Sequence, residues 1–306
     1  MTAPRAALTG ASGFLGGHVL AALRGRGVAV RALVRRAAAL EAELVRGTLA
    51  DEAALARLVA GADVVVHVAG AVKARGRAEF FAVNAHAAGR LARVTRELAP
   101  KARFVLISSL AAREPGLSDY AASKRAGEEA VRAVYGEEAL ILRPPALYGP
   151  YDRETLALFK VARLRLVPLT GRGRAAMMYG ADAGEAVAAA ALGERAGCFA
   201  LADERPEGYE MAEILRAAAA AQGRAPWALL PVPGLVLRGL GGLNGALGAL
   251  SGRAVMFTAG KARELAHPDW AVGPDELLPR EVYAPRTSLG EGFAESVSWY
   301  RAQGWL

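Results

Sequence analysis

Tyr120 and Lys124 stand four positions apart in Tyr120-Ala-Ala-Ser-Lys124, about one helical turn, which puts a phenol and an ammonium on one helix face. A free tyrosine, with a pKa near ~10, ionises at neutral pH only at a cost of about 4 kcal/mol. A cation about 4 Å away at an effective dielectric of ~20 contributes roughly the same amount. On these magnitudes the lysine can turn the tyrosine into an acid/base usable near pH 7. Any surface helix can carry such a pair, so its weight comes from its company. Ser108 and Ser109 close an apolar run shortly upstream, and a glycine-rich loop lies near the N-terminus.

These groups need elements to position them. Ala6 to Thr9 read as a short apolar strand, followed by Gly10-Ala-Ser-Gly13-Phe-Leu-Gly16-Gly17 and a helix with Val19, Leu20 and Leu23 on one face. Strand, glycine loop and helix in that order are the context a dinucleotide-binding turn needs. Gly10 permits the tight turn, Gly13 lets backbone approach a pyrophosphate, and Gly16 lets helix and strand pack closely. The helix N-terminus offers unpaired amides and a positive dipole to phosphates. A second strand, Val28 to Val34, ends in Arg35-Arg36 with no acid nearby. NAD-selective sites place a carboxylate there, whereas an arginine accommodates the extra phosphate of NADP. The expectation is therefore NADP in preference to NAD, with Arg35 as the first contact and Arg31 or Arg36 as alternatives.

Further along, a strand over Glu43 to Val45 precedes Gly47-Thr48-Leu49-Ala-Asp51, where Asp51 has the place of an N-cap for a helix carrying Leu55, Leu58 and Val59. Asp63 to Gly70 read as a fully buried strand ending in small residues, as expected where a cofactor lies over its carboxyl end. His67 there reads as a core histidine, and Lys73, Arg75 and Arg77 as a solvated loop. Phe80, Val83, Ala87, Leu91, Val94 and Leu98 form an apolar helical stripe. Asn84 beside it should be fully hydrogen-bonded and brace the site. Phe104 to Ile107 predict a buried strand with the two serines at its carboxyl end, and Ala139 to Leu142 another, followed by a rigid loop from Arg143 to Pro150.

This alternation predicts an α/β fold, a doubly wound parallel sheet of Rossmann type with a smaller C-terminal substrate domain. Residues 1–168 would form the dinucleotide domain and 169–306 mostly the substrate domain, apart from a strand near 197–202 returning to the main sheet. Pro226 to Leu250 is the most unusual stretch, rich in leucine with Arg238 as its only charge. Pro231, Pro233 and Gly239-Leu-Gly-Gly242 argue against a stable membrane span. Lining an apolar substrate pocket, a subunit contact and core packing are equal readings of it. Ser288 to Leu306 has the spacing of a closing core helix.

The chain has 306 residues, 53% hydrophobic, and a formal charge of +8. The arginines form no dense run and no aromatic platform is interleaved with them, which argues against nucleic acid. Cys198 is the sole cysteine, which excludes an internal disulfide and suits a reducing compartment. His18, His67, His86 and His267 lack partners at ligand spacing, so no metal is expected. A strand beginning almost at Met1 argues against a cleavable leader, and the expected location is cytoplasmic.

Taken together the residues resemble the extended branch of the short-chain dehydrogenase/reductase superfamily, which holds NAD(P)-dependent epimerases, dehydratases and ketone reductases. The resemblance rests on Thr9-Gly-Ala-Ser-Gly-Phe-Leu-Gly16, His67-Val-Ala-Gly70, Asn84, Ser108-Ser109, Tyr120-x-x-x-Lys124, Arg143-Pro-x-x-Leu-Tyr-Gly-Pro150 and the stretch from Met178 to Ala186. It implies that Tyr120 is the acid/base, that Lys124 lowers its pKa and holds the nicotinamide ribose, and that Ser109, rather than Ser108, binds the reacting oxygen. It implies further that Gly10, Gly13, Phe14, Leu15 and Gly16 surround the pyrophosphate, that Val68, Ala69 and Gly70 pass under the cofactor with Asn84 beside them, and that Pro144 and Pro145 flank the nicotinamide. Thr48 departs from the aspartate common in the family, leaving Leu49 as an apolar adenine contact. Helices of this family often pair, which makes a homodimer the assembly it suggests.

The expected chemistry is hydride transfer between the nicotinamide cofactor and an alcohol or ketone on a small, apolar substrate. An epimerase or dehydratase acting on a nucleotide-sugar, with its cofactor recycled in place, is the alternative. A non-catalytic nucleotide-binding accessory protein is the third reading, opposed by the intact Ser109, Tyr120 and Lys124.

Overall fold

The computed structural model describes residues 3–171, 173–251 and 254–306. The chain opens with β1 (Arg5–Thr9) and α1 (Phe14–Gly25), then β2 (Ala29–Val34), β3 (Glu43–Arg46) and α2 (Glu52–Val59). Asp51 caps α2, its Oδ1 accepting from the Ala54 amide at 3.0 Å, an interaction of about 1 kcal/mol. β4 (Val64–His67) follows, then α3 (Arg77–Phe81), a π-helical turn over Ala82–His86, α4 (Ala87–Leu98) and β5 (Arg103–Ile107). The stripe from Phe80 to Leu98 therefore does not form one uninterrupted α-helix. Asn84 sits in the wider turn that separates its two parts, a local defect that often marks functional positions.

α5 (Asp119–Tyr135) and β6 (Leu140–Arg143) come next. The stretch from Arg143 to Pro150, expected as a loop, contains β7 (Ala146–Tyr148). Its partner lies beyond α6 (Leu156–Val161), β8 (Leu166–Leu169) and β9 (Arg174–Ala175), in β10 (Met177–Tyr179), with Tyr148 opposite Tyr179. A pairing across that separation leaves no periodicity in a three-residue strand. The rest comprises α7 (Gly180–Leu192), β11 (Gly197–Ala200), β12 (Tyr209–Glu210), α8 (Met211–Ala220), β13 (Ala228–Pro231), α9 (Gly234–Leu250), α10 (Ala259–Ala266), β14 (Asp269–Trp270) and α11 (Leu289–Ala302).

Seven parallel strands form the main sheet in the order β11-β6-β5-β4-β1-β2-β3. Alternate residues of each strand feed opposite cores, as the two-residue period demands. Val64 and Val66 face α1 and α7 beside Val19, Leu23, Ala183 and Val187. Val65 and Phe104 face α2, α4 and α5 beside Leu55, Leu91 and Val131. Both faces are covered, which is why the strands read as continuous apolar runs. A third core joins β7, β10, α6, α8 and α11 through aromatic side chains, with the Phe293 ring 4.8 Å from Tyr148 and 5.0 Å from Phe159, edge-to-face contacts suited to ring quadrupoles.

α9 runs through Gly239, Gly241 and Gly242 without a break, although each interior glycine costs about 1 kcal/mol. Pro231 and Pro233 precede it rather than interrupt it. Among the described residues no helix is long and apolar enough to cross a membrane.

Candidate active site

The carboxyl ends of β1, β4 and β5 meet at one edge of the sheet, and three backbone devices shape it. Gly10 has φ +78° and lies so close to the loop after β4 that an added Cβ would come 2.6 Å from the Ala69 amide, a conformation and a proximity that only glycine tolerates. A Cβ at Gly16 would fall 1.9 Å from the Gly10 carbonyl oxygen, so α1 can press onto the turn only as it stands. Gly13 is the N-cap of α1, with no side-chain oxygen on the free amides and no acid in the first turn. An uncapped, acid-free N-terminus over a glycine turn fits a pyrophosphate. The Phe14 ring packs 5.2 Å from His18 and against Gly180, so its amide and not its ring faces this turn. Leu15 is half-buried against the core.

Val68, Ala69 and Gly70 leave β4 across this edge. Thr9 fixes them, its hydroxyl accepting from the Ala69 amide at 3.2 Å and lying 2.7 Å from His67 Nδ1. Burial drives the His67 pKa down to about 3, with Lys124 adding to the shift. His67 is therefore a neutral core residue. Asn84 is also buried. Its Oδ1 accepts from the Ala71 amide at 2.8 Å, and its Nδ2 donates to the Ala71 carbonyl at 3.0 Å and to Ser123 Oγ at 2.9 Å. Placed with the cofactor shell from sequence, Asn84 instead spends its side chain on protein, tying the loop after β4 to α5.

Ser118 caps α5, accepting from the Ala121 amide at 3.0 Å, and puts Tyr120 and Lys124 one turn apart in its first half. Ser109 stands just beyond β5 with its hydroxyl accepting from the Ala111 amide at 3.2 Å and directed to the Tyr120 phenol. Ser108 turns the other way. It is buried and donates to Glu128 at 2.6 Å, and Arg143 grips the same carboxylate at 2.7 and 2.6 Å. Lys124 Nζ donates to the Ile107 carbonyl at 2.7 Å, and a Cβ at Gly70 would lie 3.4 Å from it. Ser109, Tyr120, Lys124 and Gly70 are thus brought together.

The electrostatics correct one expectation. Burial pushes Tyr120 up to about 12, the Ser109 hydrogen bond pulls it down, and the nearby Glu264 carboxylate raises it further. The Lys124 pKa falls to about 8 through burial, against the pull of Glu128. Tyr120 is therefore held as a neutral acid, not as a lysine-induced phenolate.

Glu264 is a site neighbour that sequence reasoning missed. It is buried on α10, accepts from the Ser118 hydroxyl, and pairs with Lys261 at 2.8 Å. Its separation of 146 positions from Ser118 hides it from any local pattern. The one trace is that it ends an acid-free run over residues 214–263. Phe80 was read only as core, yet its ring lies 6.0 Å from that of Tyr120.

Arg35 and Arg36 are exposed just past β2. Arg31 points elsewhere, donating to Glu43 at 2.9 Å and to the Ala60 carbonyl at 2.8 Å, which removes it as a phosphate contact. Thr48 is exposed after β3, its hydroxyl accepting from the Ala50 amide at 3.3 Å, and Leu49 packs half-buried against the core below. Pro144 is tied to the Ser109 loop through its carbonyl, which accepts from the Leu110 amide at 2.9 Å. Pro145 is half-buried beside it. A cleft at the opposite, amino edge of the sheet, lined by Arg5, Arg24, Arg31, Glu41 and Glu43, brings none of these groups together. Among the described residues no cluster of three or more histidine, cysteine, aspartate or glutamate side chains could hold a metal.

The sequence model of the NAD dependent epimerase/dehydratase family matches residues 6–193. The chain belongs to this family. It is similar to ceramide reductase of Caulobacter vibrioides, with 46% identity over 98% of this chain and 95% of that protein. A ketoreductase of Stigmatella aurantiaca that acts on a farnesylated dihydroquinoline oxide is 33% identical over 48% of this chain and 52% of its own. In fold it is similar to the UDP-glucose 4-epimerase of Thermus thermophilus in complex with NAD, with a TM-score of 0.70, 22% identity and coverage of 97% and 99%. Family membership and relatives named as reductases and epimerases make the chain an NAD(P)-dependent enzyme of the extended short-chain dehydrogenase/reductase type.

Proposed function

We propose that this protein is an NADPH-dependent reductase that converts a ketone on a ceramide-type amide lipid to the secondary alcohol. The observation that carries this reading is the similarity to ceramide reductase along nearly the whole of both chains. Among the groups of a ceramide, the secondary alcohol is the one that a hydride and a proton could deliver from a ketone. An amide carbonyl is too weak an electrophile for a nicotinamide.

The bound nicotinamide would supply the hydride, held by the glycine turn from Gly10 to Gly16 and by Val68 to Gly70. The chain's own residues supply the rest. The Ser109 hydroxyl donates to the ketone oxygen and fixes it beside Tyr120. As charge develops on that oxygen, the neutral Tyr120 phenol gives up its proton, so the product leaves as an alcohol. Lys124, with a pKa near 8, is the adjacent group through which the phenolate regains a proton from solvent. A phenol held neutral suits the acid role of the reducing direction. Arg35, exposed and without an acid partner among the described residues, supports NADPH over NADH, with Arg36 next to it. On this reading residues 1–168 with β11 form the cofactor half, and most of 169–306 closes over the lipid.

The structural likeness to nucleotide-sugar epimerases supports a second reading, in which the cofactor is recycled in place. Absorbance of reduced nicotinamide during turnover of a short-chain keto-ceramide separates the two. Reduction consumes one NADPH per ketone converted, whereas isomerisation of a UDP-sugar leaves the absorbance unchanged.

A further inference from the structure

α9 is built inside out for a helix in water. Its packed face buries Leu237 and is otherwise made of small residues. Gly241 lies so close to Thr258 that an added Cβ would come 2.6 Å from its carbonyl oxygen, and Gly248 is buried. Its outer face carries Leu235, Val236, Leu240, Leu243, Leu247 and Leu250, of which Leu240, Leu243, Leu247 and Leu250 are 54%, 61%, 56% and 86% exposed. The spacing 236, 240, 243, 247, 250 is a continuous helical stripe about 21 Å long. An unpartnered leucine stripe of this length exceeds the scattered apolar residues normal on a soluble surface. The preceding ribbon of β8 and β13 adds Leu166, Trp227 and Leu230, all exposed, with the Arg165 guanidinium 4.4 Å over the Trp227 ring.

The chain segments that build this face carry charge of one sign. Residues 155–181 and 214–263 contain no aspartate or glutamate, yet they carry Lys160, Arg163, Arg165, Arg224 and Arg238. An amphipathic helix with leucines outward, the exposed Arg238 within it, and an aromatic residue covered by Arg165 on the adjoining ribbon is the chemistry of the headgroup–acyl boundary. The face also leads to the site. α9 packs through Gly241 on Thr258, the N-cap of α10. On α10, Gly260 packs against Ser118 and Glu264 accepts from its hydroxyl. Ser118 caps the helix that carries Tyr120.

We infer that α9, with the β8–β13 ribbon, docks on an anionic lipid bilayer and opens the active site toward it. The delivery half rests on the lipid-ketone reading above, whereas the docking half rests on the exposed face alone.

Flotation of the full chain with vesicles tests this. Phosphatidylcholine vesicles containing roughly one third phosphatidylglycerol should bind about ten-fold or more tightly than phosphatidylcholine alone, and ~0.5 M salt should weaken the binding. The triple variant Leu240→Glu, Leu243→Glu, Leu247→Glu should lose binding about ten-fold or more while keeping its melting temperature and its NADPH turnover of a water-soluble short-chain ketone. Turnover of a long-chain ketone embedded in the vesicles should fall with it. Unchanged vesicle binding by the triple variant, or no binding by the wild type, overturns the proposal. So does a homodimer dissolved by the triple variant without vesicle binding, which assigns the face to a second copy. Vesicle binding that the variant abolishes, in a protein that reduces no ketone, upholds the docking and refutes the reductase reading alone.

Discussion

Tyr120 is held in its acid form by burial and by Glu264, and this fixes what its substitutions should do. Tyr120→Phe removes the proton donor and should lower kcat about 100-fold to 10,000-fold, with NADPH affinity, read by fluorescence titration, within about two-fold of wild type. Glu264→Gln removes a negative neighbour that raises the phenol pKa. Reduction needs the protonated phenol, so activity falls as pH rises through that pKa, and the variant's alkaline limb should move to lower pH. An unmoved limb in the pH profile of kcat would show that Glu264 acts only as a brace for Ser118. Arg35→Glu places a carboxylate where the NADP phosphate would sit. It should reduce kcat/KM for NADPH about ten-fold or more relative to NADH, measured side by side. The pairing of Tyr120 with Lys124 was legible in the sequence because four residues make a turn. The sign of the phenol shift was not, because it depends on burial and on a carboxylate brought in from α10.

At the level of elements, glycines set the distances that the site needs. Gly16→Ala drives a Cβ to 1.9 Å from the Gly10 carbonyl. With backbone as the obstacle, it should cost about 1–3 kcal/mol of stability and abolish dinucleotide binding, checked by thermal unfolding with and without NADPH. Strand, turn and α1 were readable in order because each has its own local period. The capping of α2 by Asp51 was equally local. The π turn at Asn84 was hidden, since an extra residue in a helix leaves the apolar stripe nearly intact. β7 was hidden because its partner is distant. α9 misled for a different reason. Its glycines read as breaks, although one of them, Gly241, lets it approach Thr258 at the start of α10.

Across the whole molecule, the parallel sheet with helices on both faces followed from the strand–helix alternation, and the returning β11 from its apolar run. What the outer half does could not be read from periodicity. Its core is a cluster of aromatic contacts among β7, β10, α6, α8 and α11, assembled across long separations. Its face toward solvent carries leucines that composition alone cannot orient. Cofactor uptake should tighten the assembly. NADPH at about 100 times its Kd should add about 2.7 kcal/mol to stability and raise the melting temperature by several degrees, with NADH at equal concentration giving less. The most direct measurement of the central claim is the reduced-nicotinamide absorbance of the purified chain during conversion of a short-chain keto-ceramide, with product identified by mass spectrometry. The account predicts one NADPH oxidised per alcohol formed, with the signal lost in Tyr120→Phe. Conversion without net absorbance change, or full turnover by Tyr120→Phe, would contradict it.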